Sequence, residues 1–417
     1  MFNLELAWDR SAKISSQKTT HVLRVRIRPQ TGRTGLPSLP LRLAIALDNS
    51  QSMEGEKLQR AKEACRVVVG QLRDTDRLSI AAFSSRVTPL LESLAGGSAG
   101  VAAANAAISG LQTDSVTRTD LALDWLQNAF PKENGVARVG ILITDGHATN
   151  SRGTVLDDVT ALINQSAQLS QSGFVLCTVG LGKAANFNTA FLTDLSDKGQ
   201  GAFIYADALS SLEPLLQERL AACQAIATES AKLRLIPATD VILTGFCRFR
   251  PEYLPLEEIV KNELSLGAIR TDSPTDVLIE LVTPPSGLGF REPAGNRDVI
   301  SLELTASGLT TPIVATGAIN YTTSYTEIQK MNKEVDQDRN CWGINLNAKE
   351  IIDIGDTNSK RTGELLVDTQ VIATKAGQLD IAKDAAQQLD DLKKDGKLNP
   401  DRATGMLRDS RNLGSKT

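Results

Sequence analysis

The stretch that decides the fold is Leu41-Arg-Leu-Ala-Ile-Ala-Leu-Asp-Asn-Ser-Gln-Ser52. Its apolar run predicts a buried β-strand, and the strand ends in one carboxylate, Asp48, and two hydroxyls, Ser50 and Ser52. Open α/β sheets place their binding sites at the carboxyl ends of parallel strands. Hard oxygen ligands of this kind suit Mg²⁺, Mn²⁺ or Ca²⁺. The stretch therefore predicts a cation site, with an ordinary helix N-cap as the simpler alternative.

The segments that follow continue an α/β pattern. Residues 56–72 carry apolar side chains at helical spacing, residues 77–83 predict a buried strand, and residues 138–144 predict an apolar strand followed by Asp145. Strands and helices alternate in this way over residues 41–222, which predicts a doubly wound, mostly parallel sheet covered by helices on both faces. Further elements are predicted at residues 87–91, 121–130, 155–172, 174–180, 202–205 and 209–223.

Three loops of this segment, taken in order, resemble the von Willebrand factor A domain. The matching pieces are Asp48-Asn-Ser-Gln-Ser52, Thr119-Asp120 and Ile143-Thr-Asp-Gly146, and the resemblance covers residues 41–223. In that family the three loops form a metal-ion-dependent adhesion site on a Rossmann-like sheet. One departure is that Arg118 stands where relatives often have Gly.

The resemblance implies a role for each matching residue. Ser50 and Ser52 would bind the metal through their hydroxyls, and Thr119 would bind it directly or through water. Asp48 and Asp145 would act mostly through water. Because three of these five ligands are neutral, most of the charge of the cation stays uncompensated, and a carboxylate from a partner protein would complete the shell.

The function expected from this site is a non-enzymatic, metal-dependent protein-protein interaction module inside a bacterial-type cell. It would scaffold or regulate a partner that supplies an Asp or Glu side chain. Intracellular relatives of the family often act beside ATPases, kinases or phosphatases, so the resemblance raises these partner classes. The alternative is a Mg²⁺-assisted phosphoryl or ester hydrolase at the same site. A hydrolase would need a general base, and the sequence offers no clear base beyond the ligand carboxylates.

Three weaker motifs suggest other chemistry. Residues 180–185 match the G-x-G-x-x-A dinucleotide pattern, but they follow a late strand instead of the first one, which favours a tight turn. Ser50, Asp145 and His147 have the side chains of a hydrolytic triad, although no nucleophile elbow is present. Residues 390–396 are rich in aspartate, but their spacing fails the EF-hand pattern and indicates a solvated helix end.

The rest of the chain predicts two further units. Residues 1–40 and 224–325 contain short strands separated by turns, and we expect them to form one antiparallel β-sandwich into which the α/β domain, residues 41–223, is inserted. This layout is similar to that of bacterial relatives of inter-alpha-trypsin-inhibitor heavy chains. Residues 326–417 are predicted to form a C-terminal helical segment, with a polar tail from residue 408 that is expected to fray.

The composition limits the function classes. With a net charge of −4 and 4% aromatic residues among 417, the chain lacks the basic and aromatic character typical of nucleic-acid binders. Neither a signal peptide nor a membrane span is visible in the sequence. The five widely spaced cysteines are expected to be buried free thiols of a reducing compartment. These features predict a cytoplasmic protein.

Overall fold

The structure is a computed structural model that describes residues 2–30, 37–285 and 295–415. The strands are β1 (Phe2–Trp8), β2 (Ala12–Ile14), β3 (Thr19–Pro29), β4 (Leu41–Asp48), β5 (Arg77–Phe83), β6 (Val87–Ala95), β7 (Ala137–Thr144), β8 (Phe174–Leu181), β9 (Gln200–Ala206), β10 (Ile226–Pro237), β11 (Ile242–Arg250), β12 (Leu254–Pro255), β13 (Glu258–Val260), β14 (Glu263–Arg270), β15 (Thr275–Thr283), β16 (Gly295–Ala306) and β17 (Ile313–Thr322). The α-helices are α1 (Glu56–Gly70), α2 (Ser98–Ser109), α3 (Thr119–Asn128), α4 (Thr160–Gln171), α5 (Thr189–Lys198), α6 (Leu212–Gln224), α7 (Tyr325–Ile328), α8 (Lys333–Ile354), α9 (Ser359–Lys375), α10 (Leu379–Asp395) and α11 (Pro400–Arg411).

A mostly parallel sheet with the strand order β6-β5-β4-β7-β8-β9 forms the centre of the α/β domain. The edge strand β6 runs antiparallel to β5, whereas β4 pairs in parallel with both β5 and β7. Leu43 and Ile45 of β4 pack on the side of α1, α2 and α6, while Ala44 and Ala46 pack on the side of α3, α4 and α5. Burial on both faces explains why β4 is an unbroken apolar run. The predicted doubly wound fold is confirmed.

The opening strands belong to two further sheets that face each other. The first has the order β1-β3-β15-β11-β12, and the second has the order β13-β14-β10-β16-β17-β2. Strand β3 pairs antiparallel with β15, whereas β2 joins β17 in parallel. The chain therefore leaves this sandwich after β3, forms the α/β domain and returns at β10, as the predicted fold class requires. The domain boundaries at residues 40, 223 and 325 stay a prediction.

The C-terminal helices cover the outer face of the first sheet. Val22, Cys247 and Leu278, which point away from the sandwich interior, form one apolar cluster with buried residues of α8 to α11 such as Ile344 and Leu366. The neighbouring positions of β3 face the other sheet, and Leu23, Val25 and Ile27 are fully buried there. One face of the first sheet therefore packs on the second sheet and the other on the C-terminal helices, so the helical segment shares a core with the sandwich.

A buried group of charged residues, called the docking cluster below, joins α8 to the sandwich. Asp338 of α8 accepts hydrogen bonds from Arg24 at 3.0 Å and from Arg250 at 2.9 and 3.0 Å. Asp276 of β15 accepts two bonds from Arg26 and one from Arg250, all at 2.7 Å. These five residues make up the cluster. From the sequence alone, arginines that alternate with apolar residues along β3 are typical of a strand with one solvent-exposed face.

The expectation of a fraying tail is wrong for residues 408–411. Arg411 is 6% exposed, and its guanidinium donates two hydrogen bonds to Asp197 of α5, at 2.6 and 2.7 Å. Earlier in the same helix, the hydroxyl of Thr404 lies 2.9 Å from the hydroxyl of Thr189. These polar side chains of α11 are therefore satisfied by the α/β domain and not by water.

Some helix boundaries also differ from the expectation. Helix α4 begins at Thr160 and not near residue 155, because Asp158 accepts a hydrogen bond from the Thr160 amide and Val155 pairs with Thr149 in an isolated bridge. Helix α3 begins at Thr119, two residues before the expected start. Helices α2 and α5 were not predicted from the sequence.

All five cysteines are buried and form no disulfide: Cys65, Cys177, Cys223, Cys247 and Cys341. Burial raises the pKa of the Cys65 and Cys223 thiols to about 12, so both are protonated at neutral pH. Among the described residues, no helix combines the length and the apolar character needed to cross a membrane.

Candidate metal centre

The predicted site residues lie at the carboxyl edge of the parallel sheet. Asp48 ends β4 and Asp145 directly follows β7, and these two strands are neighbours in register, with Leu47 opposite Ile143. A short 3₁₀-helix (Gln51–Met53) carries Ser52, and α1 follows it. Parallel pairing thus brings two loops that are almost a hundred residues apart in the chain to the same edge.

A continuous series of oxygen contacts links three of the candidates. The Ser52 hydroxyl donates to Oδ1 of Asp145 at 2.7 Å, and the Ser50 and Ser52 hydroxyl oxygens lie 3.1 Å apart. Asp145 is fully buried and Ser50 is 2% exposed, whereas Ser52 is exposed, so these oxygens converge at the solvent-facing edge of the loops. Such convergence of hard oxygen donors is what a Mg²⁺ or Ca²⁺ shell requires.

Asp48 stands behind these hydroxyls. Its Oδ1 accepts a hydrogen bond from the Ser50 amide at 2.7 Å, and its Oδ2 accepts one from the Thr144 hydroxyl at 2.6 Å. The side chain is fully buried, and this burial raises the pKa of Asp48 to about 6. Asp48 therefore holds the Ser50 loop in place, and its charge is costly unless a cation compensates it.

Thr119 occupies the third loop, at the first position of α3, and is 2% exposed. Within the described part of the chain, no hydrogen bond joins its hydroxyl to the other four candidates. The loop itself does approach them, because a side chain added at Gly146 would lie 3.5 Å from both Ser52 Oγ and Thr117 Oγ1. Thr117, which sequence reasoning passed over, is held by a hydrogen bond from its amide to the Thr149 hydroxyl at 3.0 Å.

Arg118, the departure from the family pattern, fits its position without strain. Its φ of −83° is one that any residue can adopt, so Gly is not required there. The guanidinium donates two hydrogen bonds to Asp120, at 2.8 and 2.5 Å, and the Asp120 carboxylate is thereby turned to Arg118. The Arg side chain thus leaves the geometry of the loop intact.

Lys57 is the main residue that the sequence did not single out. It lies in the first turn of α1, and its ammonium group contacts Oδ2 of Asp145 and donates to the Ser52 carbonyl oxygen at 3.2 Å. One carboxylate oxygen of Asp145 thus accepts a hydrogen bond from the Ser52 hydroxyl, and the other contacts the Lys57 ammonium group. The available signal was the position of Lys57, five residues after Ser52 in the helix that leaves the first loop.

The residues of the three weaker motifs make contacts unrelated to the chemistry that those motifs suggest. In the turn after β8, the Ala184 amide that a phosphate would contact donates to Asp401 of α11 at 2.6 Å, and the Tyr205 hydroxyl donates to the same oxygen. Among the described residues, no hydrogen bond joins His147 to Ser50 or Asp145. The aspartates near residue 390 belong to α10, where Asp391 pairs with Arg402 at 2.7 Å.

The donor set matches a hard divalent cation. The five candidates supply three hydroxyls and two carboxylates, with neither sulfur nor nitrogen ligands, which suits Mg²⁺, Mn²⁺ or Ca²⁺ better than softer ions. In residues 2–30, 37–285 and 295–415, no cluster of three or more His, Cys, Asp or Glu side chains could hold a metal by itself. The hydroxyls are therefore essential to any cation site built from these loops.

Comparison with known families concerns the α/β domain. The family model described as the von Willebrand factor type A domain matches residues 43–218. The chain contains a von Willebrand factor type A (VWA) domain. VWA domains are known for metal-dependent protein-protein interaction and are generally non-enzymatic modules. The matched residues include all of the candidate ligands described above, from Asp48 to Asp145.

Curated relatives match between 41% and 58% of this chain. The uncharacterized protein sll0103 of Synechocystis sp. is 28% identical over 58% of this chain and 57% of its own length. The uncharacterized protein YfbK of Escherichia coli is 27% identical over 43% of this chain and 30% of its own length. Human inter-alpha-trypsin inhibitor heavy chain H1 is 24% identical over 41% of this chain and 19% of its own length. The chain thus spans less than two thirds of the length of these relatives.

Two solved structures resemble the whole chain. A von Willebrand factor type A protein from Catenulispora acidiphila has a TM-score of 0.78 and covers 99% of this chain and 96% of its own, at 16% identity. The ArnB paralog VWA2 from Sulfolobus acidocaldarius has a TM-score of 0.60 and covers 99% of both chains, also at 16% identity. At this identity the likeness establishes the shared fold, which includes the sandwich and the C-terminal helices.

Proposed function

We propose that this chain is a non-enzymatic, metal-dependent protein-binding module that scaffolds or regulates a partner in the cytoplasm of a bacterial-type cell. The observation that carries the proposal is the linked series of oxygens from Ser50 through Ser52 to Asp145, with Asp48 behind it. These groups lie at the edge of the sheet where VWA domains bind metal.

The residues fit a Mg²⁺, Mn²⁺ or Ca²⁺ ion in distinct ways. Ser50, Ser52 and Thr119 would hold it through neutral hydroxyls, while Asp48 and Asp145 would orient those hydroxyls or bound water. When bound, the ion supplies a positive centre for an anionic oxygen ligand. Since the hydroxyls do not neutralise that charge, an Asp or Glu side chain of the partner is the ligand that this donor set favours.

The alternative, a Mg²⁺-assisted phosphoryl or ester hydrolase, has less support. Such an enzyme needs a base that can take a proton from water. Asp48 and Asp145 are fully buried, and each of their carboxylate oxygens already has a partner. The oxygens of Asp48 accept hydrogen bonds from the Ser50 amide and the Thr144 hydroxyl. Those of Asp145 contact the Ser52 hydroxyl and the Lys57 ammonium group. Carboxylates engaged in this way act as positioning groups.

Calorimetric titration of the full chain with Mg²⁺ tests the metal site. We expect one ion per chain in the wild type and weaker binding in Ser52→Ala, because that change removes one hydroxyl ligand. Ser301→Ala, at a half-buried position of β16 in the sandwich, is the matched control and should bind as the wild type does. Absence of Mg²⁺ and Mn²⁺ binding by the wild-type protein would overturn the proposal.

Capture of partners from native lysate tests the adhesive role. Binding should require Mg²⁺ or Mn²⁺, be lost with EDTA and be weakened by Ser52→Ala. ATPases, kinases and phosphatases are the candidate classes to look for. A partner acid changed to its amide should lose most of the affinity, because the amide oxygen is neutral. A natural partner that binds equally well after chelation would contradict the metal-dependent mechanism.

A further inference from the structure

We propose that Lys57 sets the charge of the metal centre: it lowers the affinity of the site for a divalent cation and raises the affinity of the loaded site for a carboxylate. The inference rests on the proposed function, since it concerns the same site. Lys57 would thus set the balance between metal binding and partner binding.

The position of Lys57 is well determined by its surroundings. Its ammonium contacts the buried Oδ2 of Asp145, and it also donates to the Ser52 carbonyl oxygen at 3.2 Å. Its stem passes the turn after β8, since a side chain added at Gly182 would lie 3.7 Å from the Lys57 Cε. The Lys57 side chain is only 24% exposed, so its charge is near the site and partly shielded from solvent.

Lys57 changes the net charge of the centre. Asp48 and Asp145 carry two negative charges, and Lys57 reduces their sum to one. A divalent cation then brings the loaded centre to a net charge of plus one, whereas the same centre without Lys57 would be neutral. Over a few ångströms in a partly buried site such a difference is strong, because the effective dielectric is well below that of water.

Two opposite consequences follow from this charge. The ammonium repels an incoming cation and competes with it for Asp145, so it weakens metal binding. The remaining positive charge attracts an anionic oxygen, so it strengthens binding of a partner carboxylate. A purely structural lysine would shift both affinities in the same direction or neither, and this sign difference distinguishes the two roles.

The first experiment titrates Mg²⁺ into the full chain and into Lys57→Met by calorimetry. We expect Lys57→Met to bind Mg²⁺ about tenfold more tightly, because the change removes the repulsion between the ammonium group and the incoming cation. Lys57→Arg keeps the charge and should stay close to the wild type. Lys183→Met removes an exposed lysine from the neighbouring turn and is the matched control for the loss of a positive charge.

The second experiment repeats the titrations with acetate as the carboxylate probe, at constant ionic strength. Acetate should tighten apparent Mg²⁺ binding to the wild type, because metal and carboxylate affinities are reciprocally coupled. The gain should be smaller in Lys57→Met and preserved in Lys57→Arg. Thermal unfolding of each variant checks that it is folded, and Lys57→Gln provides a second neutral side chain.

The outcomes separate this inference from the proposed function. If the wild type binds no Mg²⁺, the proposed metal site fails and Lys57 has no role there. If the wild type binds Mg²⁺ but Lys57→Met and Lys57→Gln bind it equally or more weakly, only the inference about Lys57 is overturned. Tighter Mg²⁺ binding together with a reduced acetate effect supports it.

Discussion

The candidate metal centre and the docking cluster both contain buried carboxylates, but these carboxylates have different kinds of partner. In the docking cluster, Asp338 and Asp276 accept hydrogen bonds from three arginines, and the exposed Glu334, which pairs with Arg24, completes the compensation of charge. In the candidate metal centre, the two carboxylates accept hydrogen bonds from two hydroxyls and one backbone amide, and of the two only Asp145 contacts Lys57. A cluster with complete pairing stabilises a contact between segments. A cluster rich in neutral donors keeps capacity for a further cation.

Burial of acids alone therefore does not identify a binding site. Both clusters contain carboxylates that are less than 5% exposed. What differs is the chemistry of the partner groups, since guanidinium groups neutralise a carboxylate and hydroxyls only orient it. Removal of an acid should therefore reduce stability in the docking cluster and reduce ligand affinity in the metal centre.

The largest effect is expected for Asp338→Ala in the docking cluster. Arg24 and Arg250 would be left with a buried, partly unpaired charge, which costs about 3–5 kcal/mol of unfolding free energy. Glu334→Ala is the matched control, because Glu334 pairs with the same Arg24 but is 76% exposed, and its loss should cost at most about 1 kcal/mol. Denaturant unfolding measures both. Equal losses would show that burial does not distinguish the two acids.

A pH effect is expected for His21, a buried polar residue that belongs to neither cluster. Burial lowers its pKa to about 4, and Asp9 Oδ1 is 3.8 Å from Nδ1, too far for a hydrogen bond. The unfolded chain takes up the proton near pH 6.5, before the folded protein does, so the unfolding free energy falls as the pH is lowered from 6.5 to 4. The loss contributed by His21 should approach about 3 kcal/mol.

Unfolding curves at several pH values measure this contribution. His21→Gln removes the titrating group and should flatten the dependence between pH 6.5 and 4. His147→Gln, which removes the half-exposed histidine of the loop after β7, is the control. The positive groups that surround His21, Arg10, Lys13 and Arg339, also oppose its protonation. If His21→Gln has the same pH dependence as the wild type, another group is responsible.

Asp48→Asn should act on binding and hardly on stability. The asparagine oxygen can still accept the Ser50 amide, but the negative charge is lost, and Mg²⁺ affinity should fall about 10- to 100-fold. Because burial raises the pKa of Asp48, its charge is unfavourable in the folded state at neutral pH, and the unfolding free energy should not decrease. Calorimetry and denaturant unfolding test the two parts. A stability loss as large as that of Asp338→Ala would contradict the expectation that Asp48 acts on metal affinity and not on stability.

The smallest effect is expected for Arg118→Ala. Arg118 pairs with Asp120 at the protein surface, where such pairs contribute at most about 1 kcal/mol. The φ of −83° at this position suits Ala as well as Arg, so the Thr119 loop should keep its conformation. Mg²⁺ affinity should stay within about twofold of the wild type, since the charge of Arg118 is already neutralised by Asp120. A larger loss would mean that Arg118 helps to position Thr119.

The α/β domain was predictable because its signals are local. Short apolar runs such as residues 41–47 and 138–143 are typical of buried strands in a covered sheet, and the polar residues after them mark its carboxyl edge, where such sheets bind ligands. The insertion in a sandwich was also predictable, because the alternating strands at the start of the chain need partners. The docking of α11 was not, because Arg411 and Asp197 are polar residues whose pairing depends on two distant helices.

By itself, the sequence determined the parallel sheet, the five candidate ligands and the order of the three loops, because period, apolar character and short motifs act over a few residues. Contacts between distant segments place Lys57 against Asp145, pair Arg24 of β3 with Asp338 of α8, and bring Asp401 to the turn after β8. Charged side chains are compatible with solvent as well as with a buried partner. Only the three-dimensional arrangement of distant segments selects between these two environments.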